Sequence, residues 1–304
     1  MQISTYSNYA IGSFDMSNLQ NSIQQLQEQL DTQQSVNTPS DNPVAATQIL
    51  ALNESDGRNS QFVSNTQGAS SSMSLIDNAM SNVSGLLSSM KSLVVQAGSG
   101  TIDASQLQMM QQQVNQDFTQ MMSYANTTDG RGDYLFGGNK VGNPPFTADS
   151  SLTTTYNGDT GQRVVQITDS SSVPVTQVGS QVFGNSTSPT ALFDAMQQLS
   201  QLLGQSTKPA NFSTQLQTIM SSLDSAQNQV LSVQASVGAA EQENSAIQSS
   251  NQNLGVLYQT SIDNLQQLDL PKAISQFTMA QTSLQYSQLT FSKVTQLSLF
   301  NYLQ

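Results

Sequence analysis

Two stripes of apolar residues, spaced alternately three and four positions apart, predict a helix at each end of the chain. Pro39 and Pro43 break the first helix, and the second stripe begins after Pro271. Each helix presents too few apolar residues to be stable alone in water, so we expect the two ends to pair with each other or with neighbouring copies. The stripes, with the apolar residues that follow the second one, comprise Met16, Leu19, Ile23, Leu26 and Leu30, and Ile274, Phe277, Leu284, Phe291, Val294, Leu297, Leu299, Phe300 and Leu303.

Longer helices are predicted between these ends. One starts at Val44, a second ends at Ala125, and their apolar stripes suggest an antiparallel hairpin. Another starts at Thr190, and the longest could run about 85 Å from Phe212 to Leu268, with Asn244 in its seam to set the register. The stripes of the first two helices are Ile76, Ala79, Val83, Leu86, Met90, Leu93 and Ala97, then Leu107, Met110, Val114, Phe118, Met121 and Ala125.

The helical spacing disappears between Thr127 and Asn185, where Gly, Pro, Thr, Val and aromatic residues predict strands. Segments 152–156 and 162–168 flank the turn-rich residues 157–161, which indicates a hairpin, and 173–178 indicates a third strand. The predicted fold is therefore mainly α, with long antiparallel coiled-coil rods and a small β-rich domain inserted mid-chain. The expected parts are 1–43, 44–126, 127–185, 186–270 and 271–304.

Composition narrows the function classes. The 304 residues include 8 Lys and Arg against 20 Asp and Glu, a formal charge of −12, with no Cys and no His. Thiol, Ser-His-Asp and zinc-finger chemistry lose their usual residues, so we expect no enzyme, cofactor or metal. The negative charge disfavours nucleic acid and anionic membranes. The start lacks the pattern of a cleaved secretory signal, which leaves a cytosolic protein or an export route without one.

Two short motifs have ordinary interpretations. Arg131-Gly132-Asp133 matches an adhesion tripeptide, and 129–133 hints at a calcium-binding loop, but both are interpreted as a glycine-rich turn that leads into a strand. Glu241 and Glu243 are two positions apart on a helix and point in different directions, so they are interpreted as a solvated face. No catalytic site is expected.

Four stretches, in order along the whole chain, resemble the flagellin superfamily. They are Ile3-Ser4-Thr5 with Tyr9; Pro39-Ser40-Asp41-Asn42-Pro43-Val44-Ala45-Ala46; Gly132-Asp133-Tyr134-Leu135-Phe136-Gly137-Gly138, followed by Pro145-Phe146 and Tyr156-Asn157-Gly158-Asp159; and Leu297-Ser298-Leu299-Phe300-Asn301-Tyr302-Leu303. Gln2 departs from the family, which commonly has a basic residue there. The third and fourth stretches favour the members that join hook to filament.

The resemblance implies a structural component of the bacterial flagellum, which joins hook to filament by self-assembly through paired terminal helices. The apolar residues of both terminal stripes would then form the assembly interface. The family implies an extracellular location and flagellar type III export without a cleaved signal. Its partners would be other hook-associated proteins, flagellin and an export chaperone at the C-terminal segment. A flagellin filament subunit and a type III secreted tip or adhesin-like binding protein remain as alternatives.

Overall fold

The computed structural model describes residues 2–99, 102–205 and 207–300. Helices dominate, and short strands occur only in the middle of the described chain. None of the helices in these ranges is long and apolar enough to cross a membrane. The elements are α1 (Gln2–Thr32), α2 (Pro43–Ala97), α3 (Ala104–Ala125), β1 (Phe146–Ala148), β2 (Thr154–Tyr156), β3 (Val164–Gln166), β4 (Ser172–Pro174), α4 (Gly179–Val182), α5 (Ala191–Leu203), α6 (Phe212–Gln266) and α7 (Leu270–Phe300).

Two compact units divide the chain, and the predicted mainly α fold with a mid-chain β region is confirmed. The terminal unit contains the residues up to Arg58 and those from Leu254 onward, and the central unit is Asn59–Asn253. The predicted helix from Phe212 to Leu268 ends two residues earlier, at Gln266.

In the central unit, α2 and α6 pack against each other in antiparallel directions. Lys91 of α2 pairs with Asp224, and further back along α2 Asp77 accepts a 2.9 Å hydrogen bond from Gln234 Nε2. Nearer the start of α2, the Thr66 carbonyl accepts a hydrogen bond from Asn244 Nδ2 at 2.9 Å. Each step backward along α2 thus meets a step forward along α6, and the polar seam residue Asn244 is a register contact.

The seam of α2 contains the predicted Ala79 but differs from the prediction by one position in each of the last two heptads. Leu86 and Leu93 are half-buried, whereas Leu87 and Val94 are buried. Both registers share Ile76, Val83, Met90 and Ala97, which are all buried. Since the neighbouring positions are apolar in both registers, periodicity alone cannot choose between them.

Helix α3 buries the whole of its predicted stripe and packs against α5. Asp103 caps its N-terminus in a reciprocal capping box with Gln106. Phe118 meets Phe193 of α5 edge to face, with ring centroids 5.6 Å apart. Ser200 of α5 donates a 2.6 Å hydrogen bond to Asn115.

The predicted hairpin between segments 152–156 and 162–168 is wrong. β2 pairs antiparallel with β1, and β3 pairs antiparallel with β4. The turn between β1 and β2 forms because Asp149 Oδ1 accepts N–H bonds from Ser151 and Thr153. Residues 157–161 do not close a hairpin, because Asp159 Oδ1 instead accepts the N–H of Asn139 at 2.8 Å.

Side-chain amides and aromatic rings attach both hairpins to the helices of the central unit. Asn126, at the end of α3, exchanges two hydrogen bonds with the backbone of Phe146. The Phe146 ring lies within 5.2 Å of the Phe183 and Phe193 ring centroids. On the other hairpin, Ile167 is fully buried and its carbonyl accepts a 3.0 Å bond from Asn251 of α6.

In the terminal unit, α1 and α7 pack against each other, which confirms that the two ends of the chain meet. The Tyr9 and Phe291 rings are 4.9 Å apart, and at the other end of the pair Gln34 forms an isolated antiparallel bridge with Gln267. The buried apolar cluster in this unit is small and consists of Val36, Ala45, Ile49 and Ile262.

Candidate assembly surface

The segment between α1 and α2 is organised by one carboxylate. Asp41 Oδ2 accepts the N–H groups of Asn37 and Thr38 at 3.0 and 2.8 Å, and its Oδ1 accepts Gln25 Nε2 of α1 at 2.7 Å. The N–H of Thr38, followed by the other donors, lowers the pKa of Asp41 below its ordinary value, because each donor favours the charged form. The carboxylate therefore fixes the angle at which the chain leaves α1.

The following residues start α2. Asn42 Oδ1 accepts the N–H of Ala45 at 3.1 Å, and Pro43 occupies the first helical position, where its missing N–H costs nothing. Ser35 donates through its N–H to the carbonyl of Gln266 at 2.7 Å, which ties this segment to the end of α6. The Pro-Ser-Asp-Asn-Pro stretch is thus a structural corner of the terminal unit.

The predicted interface residues fall into three groups. Ile274 and Val294 are each 54% exposed. The side chains of Leu297, Leu299 and Phe300, and all of Leu303, lie outside the described residues. The half-buried members, which lie along the terminal pair, are Met16, Leu19, Ile23, Leu26, Leu30, Phe277, Leu284 and Phe291.

A close approach fixes one end of the α1 and α7 pair. A Cβ added to Gly12 would lie 3.1 Å from Cδ2 of Phe291, so the ring packs directly against the α1 backbone. Ala273, near the start of α7, is buried, whereas the neighbouring Ile274, which the sequence predicts in the seam, is exposed. The seam of α7 therefore passes through Ala273 and Phe277.

Exposed apolar side chains are concentrated in the terminal unit. Among the described residues it has fourteen large ones, although it is the smaller unit. They are Tyr9, Ile11, Phe14, Val44, Leu50, Leu254, Val256, Leu257, Leu270, Ile274, Met279, Tyr286, Leu289 and Val294. The central unit has five, which are Leu75, Val95, Met109, Val164 and Leu231. A concentration of exposed apolar side chains of this kind is typical of an interaction site.

Part of this surface forms a second stripe on α7 that sequence analysis missed. Met279, Tyr286 and Leu289 are 66%, 67% and 59% exposed. They are spaced seven and three positions apart, and at about 100° per residue they lie on the side of the helix away from Leu284. This heptad spacing was a signal in the sequence, but it stands among Gln, Ser and Thr and is shorter than the inner stripe.

Helix α1 exposes apolar side chains of its own. Ile11 and Phe14 are 56% and 67% exposed. Because α1 and α7 are antiparallel and Tyr9 lies beside Phe291, Ile11 and Phe14 lie at about the level of Leu289 and Tyr286 along the pair. We call Ile11, Phe14, Met279, Tyr286 and Leu289 the outer apolar band.

The two terminal helices carry opposite charges. Helix α1 contains Asp15, Glu28 and Asp31 and no basic residue. Helix α7 contains Lys272 and Lys293 and no acidic residue. Antiparallel stacking of such helices between copies can therefore place unlike charges near each other, which favours one orientation of association.

The Arg-Gly-Asp tripeptide is part of an ion-paired turn. Asp133 accepts a 2.6 Å hydrogen bond from Arg163 Nη1, and Asp129 Oδ1 accepts the N–H groups of Arg131 and Asp133. Burial alone would raise the pKa of Asp129, but these N–H groups and the Arg131 guanidinium lower it overall. Within the described residues, no group of three or more His, Cys, Asp or Glu is arranged to hold a metal ion.

Paired terminal helices with exposed apolar side chains, joined to long antiparallel helices with inserted strands, define a mainly helical structural protein. Comparison with known proteins then specifies the kind of subunit. The family of the bacterial flagellin N-terminal helical region matches residues 3–141. The chain is 27% identical to flagellar hook-associated protein 3 of Salmonella typhimurium and 28% identical to that of Escherichia coli, over 99% of each chain.

A solved structure shares the fold. The crystal structure of flagellar hook-associated protein 3 from Legionella pneumophila superposes with a TM-score of 0.64 at 18% identity, covering 71% of this chain and 98% of that one. The resemblance inferred from the sequence motifs is thereby confirmed. So is the predicted role as a structural component of the bacterial flagellum of the hook-associated type.

Proposed function

We propose that this chain joins the flagellar hook to the filament by self-assembly, and that copies meet through the terminal unit. The observation that carries the proposal is the outer apolar band, in a unit whose own buried cluster is small. Side chains such as Tyr286, which is 67% exposed, gain most from burial against another copy. The half-buried seam of α1 and α7 then holds the helix pair that presents the band.

The wider role follows from the resemblance to hook-associated protein 3 over nearly the whole chain. The chain would lie in the extracellular flagellum, exported through the type III route without a cleaved signal. Other hook-associated proteins and flagellin would be its neighbours. An export chaperone would bind the C-terminal segment before assembly, which fits exposed apolar side chains such as Leu289 and Val294 on α7. No catalytic role is proposed.

A surface exchange tests the proposal. The band variant carries Met279→Ser, Tyr286→Ser and Leu289→Ser. The matched control replaces three exposed apolar residues of the central unit and carries Val95→Ser, Met109→Ser and Leu231→Ser. Both variants replace exposed side chains, so both should fold with unchanged helical content and unfolding midpoint. Each is expressed in a flagellated bacterium that lacks its own junction protein.

The expected result is that the control supports filaments while the band variant does not, and that cells with the band variant release unassembled flagellin into the medium. Labelled wild-type chain should appear only between hook and filament. Normal filaments with the band variant would contradict the proposed interface. Labelling along the whole filament would instead identify a filament subunit, and labelling at the free end would identify a tip protein.

A further inference from the structure

The exit from strand β2 contains the one Asn-Gly pair in the sequence, Asn157-Gly158. Glycine is the residue least able to shield its own backbone nitrogen, because it has no side chain. The pair lies outside any helix or strand, directly after Tyr156, and Asn157 is exposed. Its position makes the side-chain amide available to water and to the next peptide nitrogen.

Hydrogen bonding leaves the attacking nitrogen, the backbone N of Gly158, free. Asn157 donates its backbone N–H to the carbonyl of Pro145 at 2.8 Å and one side-chain N–H to Thr147 Oγ1 at 3.1 Å. Among the residues that the structure describes, no acceptor is bonded to the Gly158 N–H. The nitrogen that would attack is therefore not held in a hydrogen bond, as most backbone N–H groups are.

We propose that Asn157 is a site of spontaneous self-modification, in which the side-chain amide is converted to a carboxylate. The deprotonated Gly158 nitrogen attacks Cγ of Asn157, the Cγ–Nδ2 bond breaks, and ammonia leaves with the proton taken from the peptide. Water then opens the resulting succinimide at either carbonyl, which yields aspartate or isoaspartate. The reaction needs only water and hydroxide, so its rate rises with pH.

Two other sites of related sequence make contacts that protect them from this reaction. Asn185, which precedes Ser186, uses its side-chain oxygen to accept the N–H groups of Thr187 and Ser188, each at 2.8 Å. Asp129, which precedes Gly130, is held by the N–H of Arg131 at 2.8 Å and by its guanidinium. Such contacts restrain rotation of the side chain toward the following nitrogen, and Asn157 Oδ1 has no comparable donor among the described residues.

The surrounding turn leaves no room for a side chain at position 158. A Cβ on Gly158 would collide with the hydroxyl and ring of Tyr156, so a side chain that would slow the reaction does not fit. That Tyr156 hydroxyl donates to the Asp159 carbonyl at 2.9 Å, and Asp159 Oδ1 accepts the N–H of Asn139. Isoaspartate would lengthen the backbone next to these contacts and add a charge near Asp159, which would loosen the turn.

The test uses the purified full chain, aged in mildly alkaline and mildly acidic buffers made with heavy-oxygen water. Peptide mass spectrometry follows Asn157 and Asn185, and electron-based fragmentation separates aspartate from isoaspartate. We expect Asn157 to be lost completely, with one heavy oxygen incorporated, while Asn185 stays intact, and the rate to follow the hydroxide concentration. Asn157→Gln, which lengthens the side chain and would need a larger ring, should abolish the reaction without altering the unfolding midpoint.

A short synthetic peptide that spans residues 150–163 provides the unfolded reference. If the peptide converts while Asn157 in the folded chain does not, the fold protects the site and the inference is wrong. Conversion of Asn185 before Asn157 would overturn it as well. Limited proteolysis of the aged chain gives a second readout, since cleavage between β2 and β3 should increase in step with isoaspartate.

Discussion

Asp117, in the middle of α3, is a buried carboxylate that the fold stabilises poorly. Its side chain is 3% exposed, Oδ1 accepts one 2.8 Å hydrogen bond from Gln113, and Oδ2 is buried without a partner among the described residues. Burial raises the pKa of Asp117 above its ordinary value of 3.8, with the Gln113 bond opposing the shift. We predict that Asp117→Ala stabilises the protein at neutral pH.

The expected change in the free energy of unfolding for Asp117→Ala is the sum of three contributions. A buried hydrogen-bonding group without a partner costs about 1–3 kcal/mol, and more when it is charged. Alanine adds roughly 0.5 kcal/mol of helix propensity, and the void left by the carboxyl group costs about 1 kcal/mol. The net increase in the free energy of unfolding should be about 1–2 kcal/mol at neutral pH. Gln113 is exposed, so water replaces its lost acceptor.

The pH dependence has a definite sign. The folded state holds the Asp117 proton more tightly than the unfolded state, so the native chain loses stability as pH rises from 3.8 through the raised pKa. The advantage of alanine should therefore appear above 3.8 and shrink toward zero below it. Urea unfolding followed by circular dichroism across this pH range measures the difference.

Glu243→Ala, at an exposed position of α6, controls for the loss of one negative charge and should change stability by less than about 0.5 kcal/mol. The reasoning would be refuted if Asp117→Ala were no more stable than the native chain at neutral pH. An equal difference at all pH values would show that packing, not the buried charge, is responsible.

Two further substitutions test the segment between α1 and α2 and the packing of the hairpin of β3 and β4. Asp41→Ala should speed amide exchange at Asn37 and Thr38 by about tenfold or more, because two N–H groups lose a charged acceptor. Because the pKa of Asp41 is lowered in the folded state, the stability that its carboxylate contributes should be present above pH 3.8 and be lost as the pH falls below that value. Unchanged amide exchange in the variant would contradict the role of Asp41 in holding this segment. Ile167→Ala should lower the free energy of unfolding by about 2–5 kcal/mol, because it truncates a fully buried side chain. A loss below about 1 kcal/mol would contradict close packing of Ile167 in the core.

The helices could be predicted because their signal is long and local. The proline-free stripe from Phe212 predicted α6 to within two residues, and the stripe of α3 is buried throughout. Strand pairing depends instead on turn chemistry and on contacts far along the chain. Asp149 closes one hairpin and Thr168 Oγ1 accepts the N–H of Ser171 to close the other, and neither is the strongest turn signal in the segment.

The candidate site was predictable only in part, for a related reason. The inner seam of α1 and α7 repeats over several heptads, so residues such as Leu26 and Leu284 stand out in the sequence. The outer apolar band is short on each helix and stands among polar residues, so its few members do not form a long apolar repeat in the sequence. The exposure of these side chains becomes evident only once the inner seam is known to form the contact between α1 and α7.

The two units differ in how much apolar surface they bury, and this difference supports assembly as the function. The central unit buries a continuous cluster from Ala69 of α2 to Val237 of α6, with aromatic residues of the β region included. The terminal unit has a separate buried cluster of only four residues, yet exposes most of the large apolar side chains that remain accessible on the described chain. Ordering long helices costs conformational entropy, which the half-buried seam of α1 and α7 and this small cluster must offset within the unit. The proposed assembly would therefore add stability by burying these exposed side chains against other copies.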